Sequence, residues 1–155
     1  MDWYILIKTI HIIGAAVLFG TGLGIAFFMV RSHFTDNIDE KLYAASNTVL
    51  ADYCFTLPAV ILQPLSGAWL IWYSGYDWLD LWLTATYGLY ILAGICWIPV
   101  VWIQTDLKRM LQAAHAEGAP LPDRYFRLFK IWFLLGWPAF TALVIVFFLM
   151  VAKPL

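Results

Sequence analysis

Lys8 and His11 stand one helical turn apart near the start of the chain, and Gly14, Ala15, Leu18 and Gly22 continue along the same helix face. Haem iron is commonly held by histidine, and small neighbours would let a flat group approach the backbone beside the imidazole. The same spacing also suits a histidine hydrogen-bonded to Gln63 or Tyr90 of a neighbouring helix, with the glycines serving close packing. Gly20 and Gly24 form a G-x-x-x-G pair of that packing kind, which makes self-association through the first helix an expectation. His33 and His115 fall in or near loops on the other side and read as solvated. No second axial ligand stands out.

These residues lie in apolar surroundings, where a polar side chain needs a partner or a function. Counting inward at about 1.5 Å per residue places His11, Gln63, Tyr90 and Thr141 in one layer, each about 12–15 Å from the end of its apolar segment. A second layer holds Asp52, Gln104, Arg127 and Lys130. Asp52 and Gln63 are eleven residues apart and would share a helix face. The simplest reading of Asp52 is an ion pair with Arg127 or Lys130, and the sharper one is a proton relay.

The chain that positions them has 155 residues, 63% hydrophobic and 12% charged. A soluble domain carries about 25% charged residues, so too little polar surface exists here to coat a globule, and a soluble enzyme is excluded. Four segments, about 3–30, 48–72, 81–103 and 126–151, each suffice for a membrane-spanning helix of about 20 residues. Short links predict an all-α, up-down four-helix bundle forming a single transmembrane domain over residues 1–155. Asp123 reads as the N-cap of the last helix, and residues 106–115 could prolong the third.

Seven of the nine lysines and arginines fall in or beside the two links that join the first to the second and the third to the fourth span. Basic links stay in the cytoplasm, which predicts both termini outside, with Trp3, Trp72, Trp78 and Trp82 in the outer aromatic belt and Trp132 near the inner one. Net charge is −1, with no basic stripe for nucleic acid, so the lipid bilayer is the expected partner. Cys54 and Cys96 read as small buried side chains rather than a disulfide or metal motif. No Ser-His-Asp set, P-loop or H-E-x-x-H motif is present.

The runs from Lys8 to Gly24, from Leu50 to Gly67 and from Pro99 to Gln104 resemble a bacterial family of small integral membrane proteins of unknown function. More distantly, Lys8-x-x-His11, Pro58-Ala59, Gly67-x-Trp69-Leu70, Trp82-Leu83 and the closing Val151-Ala-Lys153-Pro154-Leu155 resemble the HemJ-type protoporphyrinogen oxidases, with CopD-like membrane proteins as remoter relatives. That resemblance implies a four-helix bundle in the bacterial inner membrane holding b-type haem through His11, with an oxidoreductase or electron-transfer role and a membrane redox partner. Lys8, Gly14, Gln63 and Tyr90 are the accompanying candidates at the cofactor. The chain departs from the oxidase pattern at Ala26-Phe27, Thr86, Trp102-Ile103 and Lys130-Ile131. A shared fold and haem site are therefore better supported than the same reaction. The alternative is a non-enzymatic bundle acting as an accessory subunit or handling a small solute or metal.

Overall fold

The computed structural model describes residues 2–154. Leu155, the last residue of the closing motif, lies outside them. Helix α1 covers Trp3–His33 and α2 covers Ile38–Ser74. Helix α3 covers Leu81–Glu117 and α4 covers Asp123–Ala152. Within α2, the turn Asp52–Thr56 is π-helical. Each of the four is long and apolar enough to cross a membrane, and no strand occurs among the described residues.

Local chemistry sets the ends. The Asp2 carboxylate accepts from the Tyr4 N–H at 3.0 Å and starts α1. The Asn37 side chain accepts from the Asp39 and Glu40 N–H groups and starts α2. Gly75 and Gly118, with φ of 69° and 61°, stop α2 and α3 in the left-handed conformation that glycine adopts without cost. Asp123, expected as the cap of α4, is its first helical residue instead. Pro122 takes the cap position with no side-chain hydrogen bond, and Asp123 contributes only its charge to the first turn.

Two helices outrun their apolar windows. Helix α2 begins at Ile38 rather than about 48, and α3 continues past its apolar window to Glu117, through the expected prolongation at 106–115. Hydropathy reports where lipid is, not where a helix ends. The added residues are capped by Asn37 in one case, and in the other are rich in the helix formers Leu, Lys, Arg, Gln and Ala. At 37 residues each, both helices extend about 55 Å, against a hydrocarbon core of about 30 Å.

The bundle has a terminal end, where the chain ends meet the α2–α3 turn, and a loop end, where the other two links lie. Tyr4 stacks on Tyr73, and Lys153 Nζ donates to Tyr76 Oη at the terminal end. His115 pairs with Asp39 at the loop end. The loop-end core is built from large side chains: Ile25, Met29, Leu107, Leu111, Tyr125, Phe129 and Trp132. A smaller cluster of Ile71, Trp82 and Leu83 closes the terminal end. Between them the buried residues are mostly small or polar, including Gly14, Ala59, Ser66, Thr86, Ala93, Cys96 and Ala142. Outward faces carry exposed Ile, Leu, Phe and Trp, which suits contact with lipid.

Candidate functional site

His11 projects from α1 onto α2. Its Nδ1 lies 2.7 Å from Ser66 Oγ. The Ser66 hydroxyl donates to the Leu62 carbonyl at 2.6 Å, one turn back on its own helix. With its one proton on the Leu62 carbonyl, Ser66 Oγ is left to accept from a protonated His11 Nδ1. The ring is thereby assigned the neutral tautomer with its lone pair on Nε2, which makes no hydrogen bond among the described residues. Gly67 makes the approach feasible, since a Cβ there would sit 3.3 Å from His11 Cε1.

Gln63, one turn before Ser66, donates from Nε2 to the His11 carbonyl at 2.9 Å. It occupies the space that Gly14 leaves: a Cβ on Gly14 would come within 2.6 Å of Gln63 Nε2. Gly14 therefore serves the α1–α2 contact and opens no room beside the ring. Gly20, Gly22 and Gly24, by contrast, have no atom within 4 Å of where a Cβ would stand. Tyr90 reaches α2 from α3 and donates to the Val60 carbonyl at 2.6 Å. That carbonyl is orphaned because Pro64, four residues on, has no N–H, so the phenol replaces the missing helix bond.

His11, Gly14, Gln63 and Tyr90 thus all meet α2, though each polar group but the imidazole ends on a backbone carbonyl. Lys8 lies apart at the terminal end, its Nζ 3.4 Å from Tyr4 Oη. Thr141 is exposed and does not join the layer. Ser66, the partner of His11, escaped the sequence reading. The signal was its place three residues after Gln63, on the same face.

The second layer is assembled differently. Asp52 takes part in none of the ion pairs among the described residues, and the expected partners Arg127 and Lys130 are exposed. Asp52 is instead buried against Gln104 of α3. The Gln104 amide, oriented as its neighbours require, donates from Nε2 to Asp52 Oδ2 and accepts from Trp132 Nε1 of α4 at 3.1 Å. Trp132, expected in an aromatic belt, is consequently a core residue.

Asp52 and Gln63 do not share a face: one addresses α3, the other α1. The π turn between them is the reason. Eleven residues of α-helix return to within about 20° of the start, whereas the wider π turn removes about a quarter turn. Pro58 accounts for the π turn, because it cannot donate to the Cys54 carbonyl and its ring would press on it. The turn instead closes with the Leu57 N–H on the Asp52 carbonyl.

Other expectations need correction. His33 is only partly solvated: its ring stacks on Phe129 at 4.2 Å between centroids. Cys54 is exposed, while Cys96 is buried. Lys41, one of the basic residues between the first two spans, is buried on α2, its Nζ donating to the Ser32 and His33 carbonyls at 3.1 and 3.0 Å and capping α1. Trp82, expected in the outer belt, is buried beneath Lys153. Two surface grooves at the loop end are lined by Arg31, Glu40 and Tyr43 and by His33, Lys41 and His115; His11 lines neither. Among the described residues, no group of three or more His, Cys, Asp or Glu side chains could hold a metal ion.

Four long apolar helices packed in up-down order define a multi-pass integral membrane protein. Residues 5–154 match the family described as predicted integral membrane protein (DUF2269), and the chain belongs to that family. Neither a curated protein nor a solved structure matches it.

Proposed function

We propose that this protein binds b-type haem through His11 Nε2 and serves as a membrane electron carrier or oxidoreductase component. The observation that carries the reading is the 2.7 Å contact between His11 Nδ1 and the Ser66 hydroxyl, which in turn bonds the Leu62 carbonyl. Metal-bound histidines characteristically donate their second ring N–H to a fixed acceptor, which orients the ring and raises the basicity of the ligating nitrogen. Ser66, itself anchored to the Leu62 carbonyl, is such an acceptor. His11 Nε2 is therefore the atom that would hold a haem iron. A bound haem would supply one-electron chemistry. The chain's own part is to hold the imidazole neutral, fix its plane through Ser66 and Gly67, and exclude water with the surrounding apolar helices. On the same reading the basic loop end faces the cytoplasm, both termini lie outside, and a membrane redox partner exchanges the electron.

The test is the visible spectrum of the detergent-purified protein, oxidised and then reduced, beside His11→Ala and Ser66→Ala. The expected result is a Soret band with reduced α and β bands, absent in His11→Ala and shifted or weakened in Ser66→Ala. A wild-type protein that stays colourless when produced with ample haem, or a His11→Ala variant that keeps its full haem complement, would overturn the proposal.

A further inference from the structure

A carboxylic acid group lies in the interior of the bundle with no cation beside it. Asp52 is 4% exposed, and its neighbour Gln104 is 2% exposed. The side chains gathered at the Asp52 carboxylate are Thr56 of its own helix with Trp97 and Gln104 of α3. Trp132 of α4 stands behind Gln104. The Thr56 hydroxyl and the Trp97 indole N–H are buried and close no hydrogen bond to any group among the described residues. The ionisable side chains of the packed helices are engaged elsewhere. Lys41 caps α1, Tyr125 lies in the loop-end core, Cys96 is buried on α3, and Arg127 and Lys130 are exposed. From α1 no charged group faces it.

An unpaired carboxylate in such a place is costly to keep charged. What exchanges there is decided by the surrounding atoms. Indole N–H, amide N–H and hydroxyl groups donate to a carboxylate, and the two N–H groups would repel a metal cation. The species that fits is the proton. Gln104 makes its presence readable. With Asp52 charged, the amide points Nε2 at the carboxylate and Oε1 at Trp132 Nε1. With Asp52 protonated, its O–H needs an acceptor, and the Gln104 Oε1 supplies one only if the amide turns over. Its NH₂ then faces the Trp132 N–H, which can only donate, and the indole loses its acceptor.

We propose that Asp52 is a reversible proton-binding site inside the bundle and that Gln104 transmits its protonation state from α2 to Trp132 of α4. The proton comes from bulk water and returns to it; no electron moves and no covalent bond other than O–H forms. The π turn suits the role, because such turns place helix residues outside the regular ladder and recur at functional sites. This inference stands whether or not His11 holds iron.

The experiment is infrared difference spectroscopy of the full chain in detergent or lipid, with pH stepped across the range in which the helical circular dichroism is retained. The expected result is a protonated-carboxyl band that grows as pH falls, is lost in Asp52→Asn and is displaced in Thr56→Val, which removes a neighbouring hydroxyl. Should Asp52→Asn fail to fold, Thr56→Val and Asp52→Glu carry the assignment. Indole emission, taken as the difference between wild type and Trp132→Phe, should titrate with the same midpoint. In Gln104→Leu the proton affinity of Asp52 rises roughly tenfold, because the charged form loses a donor, and the Trp132 response disappears. A wild-type spectrum without a titrating carboxyl band overturns the proposal, as does a band that neither Asp52 nor Thr56 substitutions alter. A Trp132 response that survives in Gln104→Leu overturns the transmission.

Discussion

Around His11 every polar side chain but the imidazole itself ends on backbone, whereas around Asp52 they end on one another. Ser66 donates to the Leu62 carbonyl, Gln63 to the His11 carbonyl and Tyr90 to the Val60 carbonyl. A helix carbonyl does not turn over or change charge, so each of these bonds is settled independently and the imidazole is left in one state. In the second cluster Asp52, Gln104 and Trp132 form a chain of side chains from three helices. There the orientation of the middle member depends on the charge of the first. The difference teaches that burial of polar groups in one small bundle can serve two ends: fixing a donor atom, and leaving a group free to switch.

Three substitutions bear on that contrast. The largest effect is expected from Gln104→Leu, which strips Asp52 of its donor and Trp132 Nε1 of its acceptor together. Thermal unfolding in detergent, followed by circular dichroism, should show a loss of about 2–4 kcal/mol. Combined with Trp132→Phe, the loss should fall short of the sum by at least about 0.5 kcal/mol, since both act on one chain. Additive losses would mean that the two contacts are as independent as those around His11. Next comes Gly14→Ala, whose new Cβ would lie 2.6 Å from Gln63 Nε2 and must push that side chain off the His11 carbonyl. A cost of about 1–3 kcal/mol is expected, against almost none for Gly22→Ala, where the space is open. Equal costs at the two positions would contradict the close α1–α2 contact. The smallest is Tyr90→Phe, which exposes the Val60 carbonyl that Pro64 leaves unpaired. Interhelical hydrogen bonds in membranes average about 0.6 kcal/mol, and the loss should be additive with that of Ser66→Ala. A strongly non-additive pair would show that the His11 cluster is itself a connected network.

Much of the fold was legible in composition and hydropathy, because lipid selects for apolar length more strictly than water selects for any soluble pattern. The four spans and their up-down order follow from that alone. The extension at Ile38–Asn47 was less legible than that of the third helix, whose prolongation through 106–115 was expected, since beyond the hydrocarbon a helix is limited by caps and helix propensity rather than by apolar content. Facing was not readable for the polar residues: Gln63 meets the His11 carbonyl and Tyr90 the Val60 carbonyl, while Thr141, counted with them, faces outward. Asp52 was misassigned to a cation because depth alone put it beside Arg127 and Lys130, and it was given the face of Gln63 because helix phase was counted through residues 52–56 as if the helix were regular. Pro58 was the visible warning. Ser66 was hidden for a simpler reason: serine at helical spacing is common, and only its 2.7 Å contact with His11 distinguishes it.

The π turn gives α2 one residue more than a regular helix of the same height would hold. Removing a single residue from Asp52–Thr56 would let α2 close as an ordinary helix while everything beyond keeps its bearing toward α1. Relatives that differ in length by one residue in this segment should therefore retain the His11–Ser66 contact. They would part company with this chain in what they present to α3, so the two clusters can diverge separately through an insertion or deletion that leaves the bundle standing.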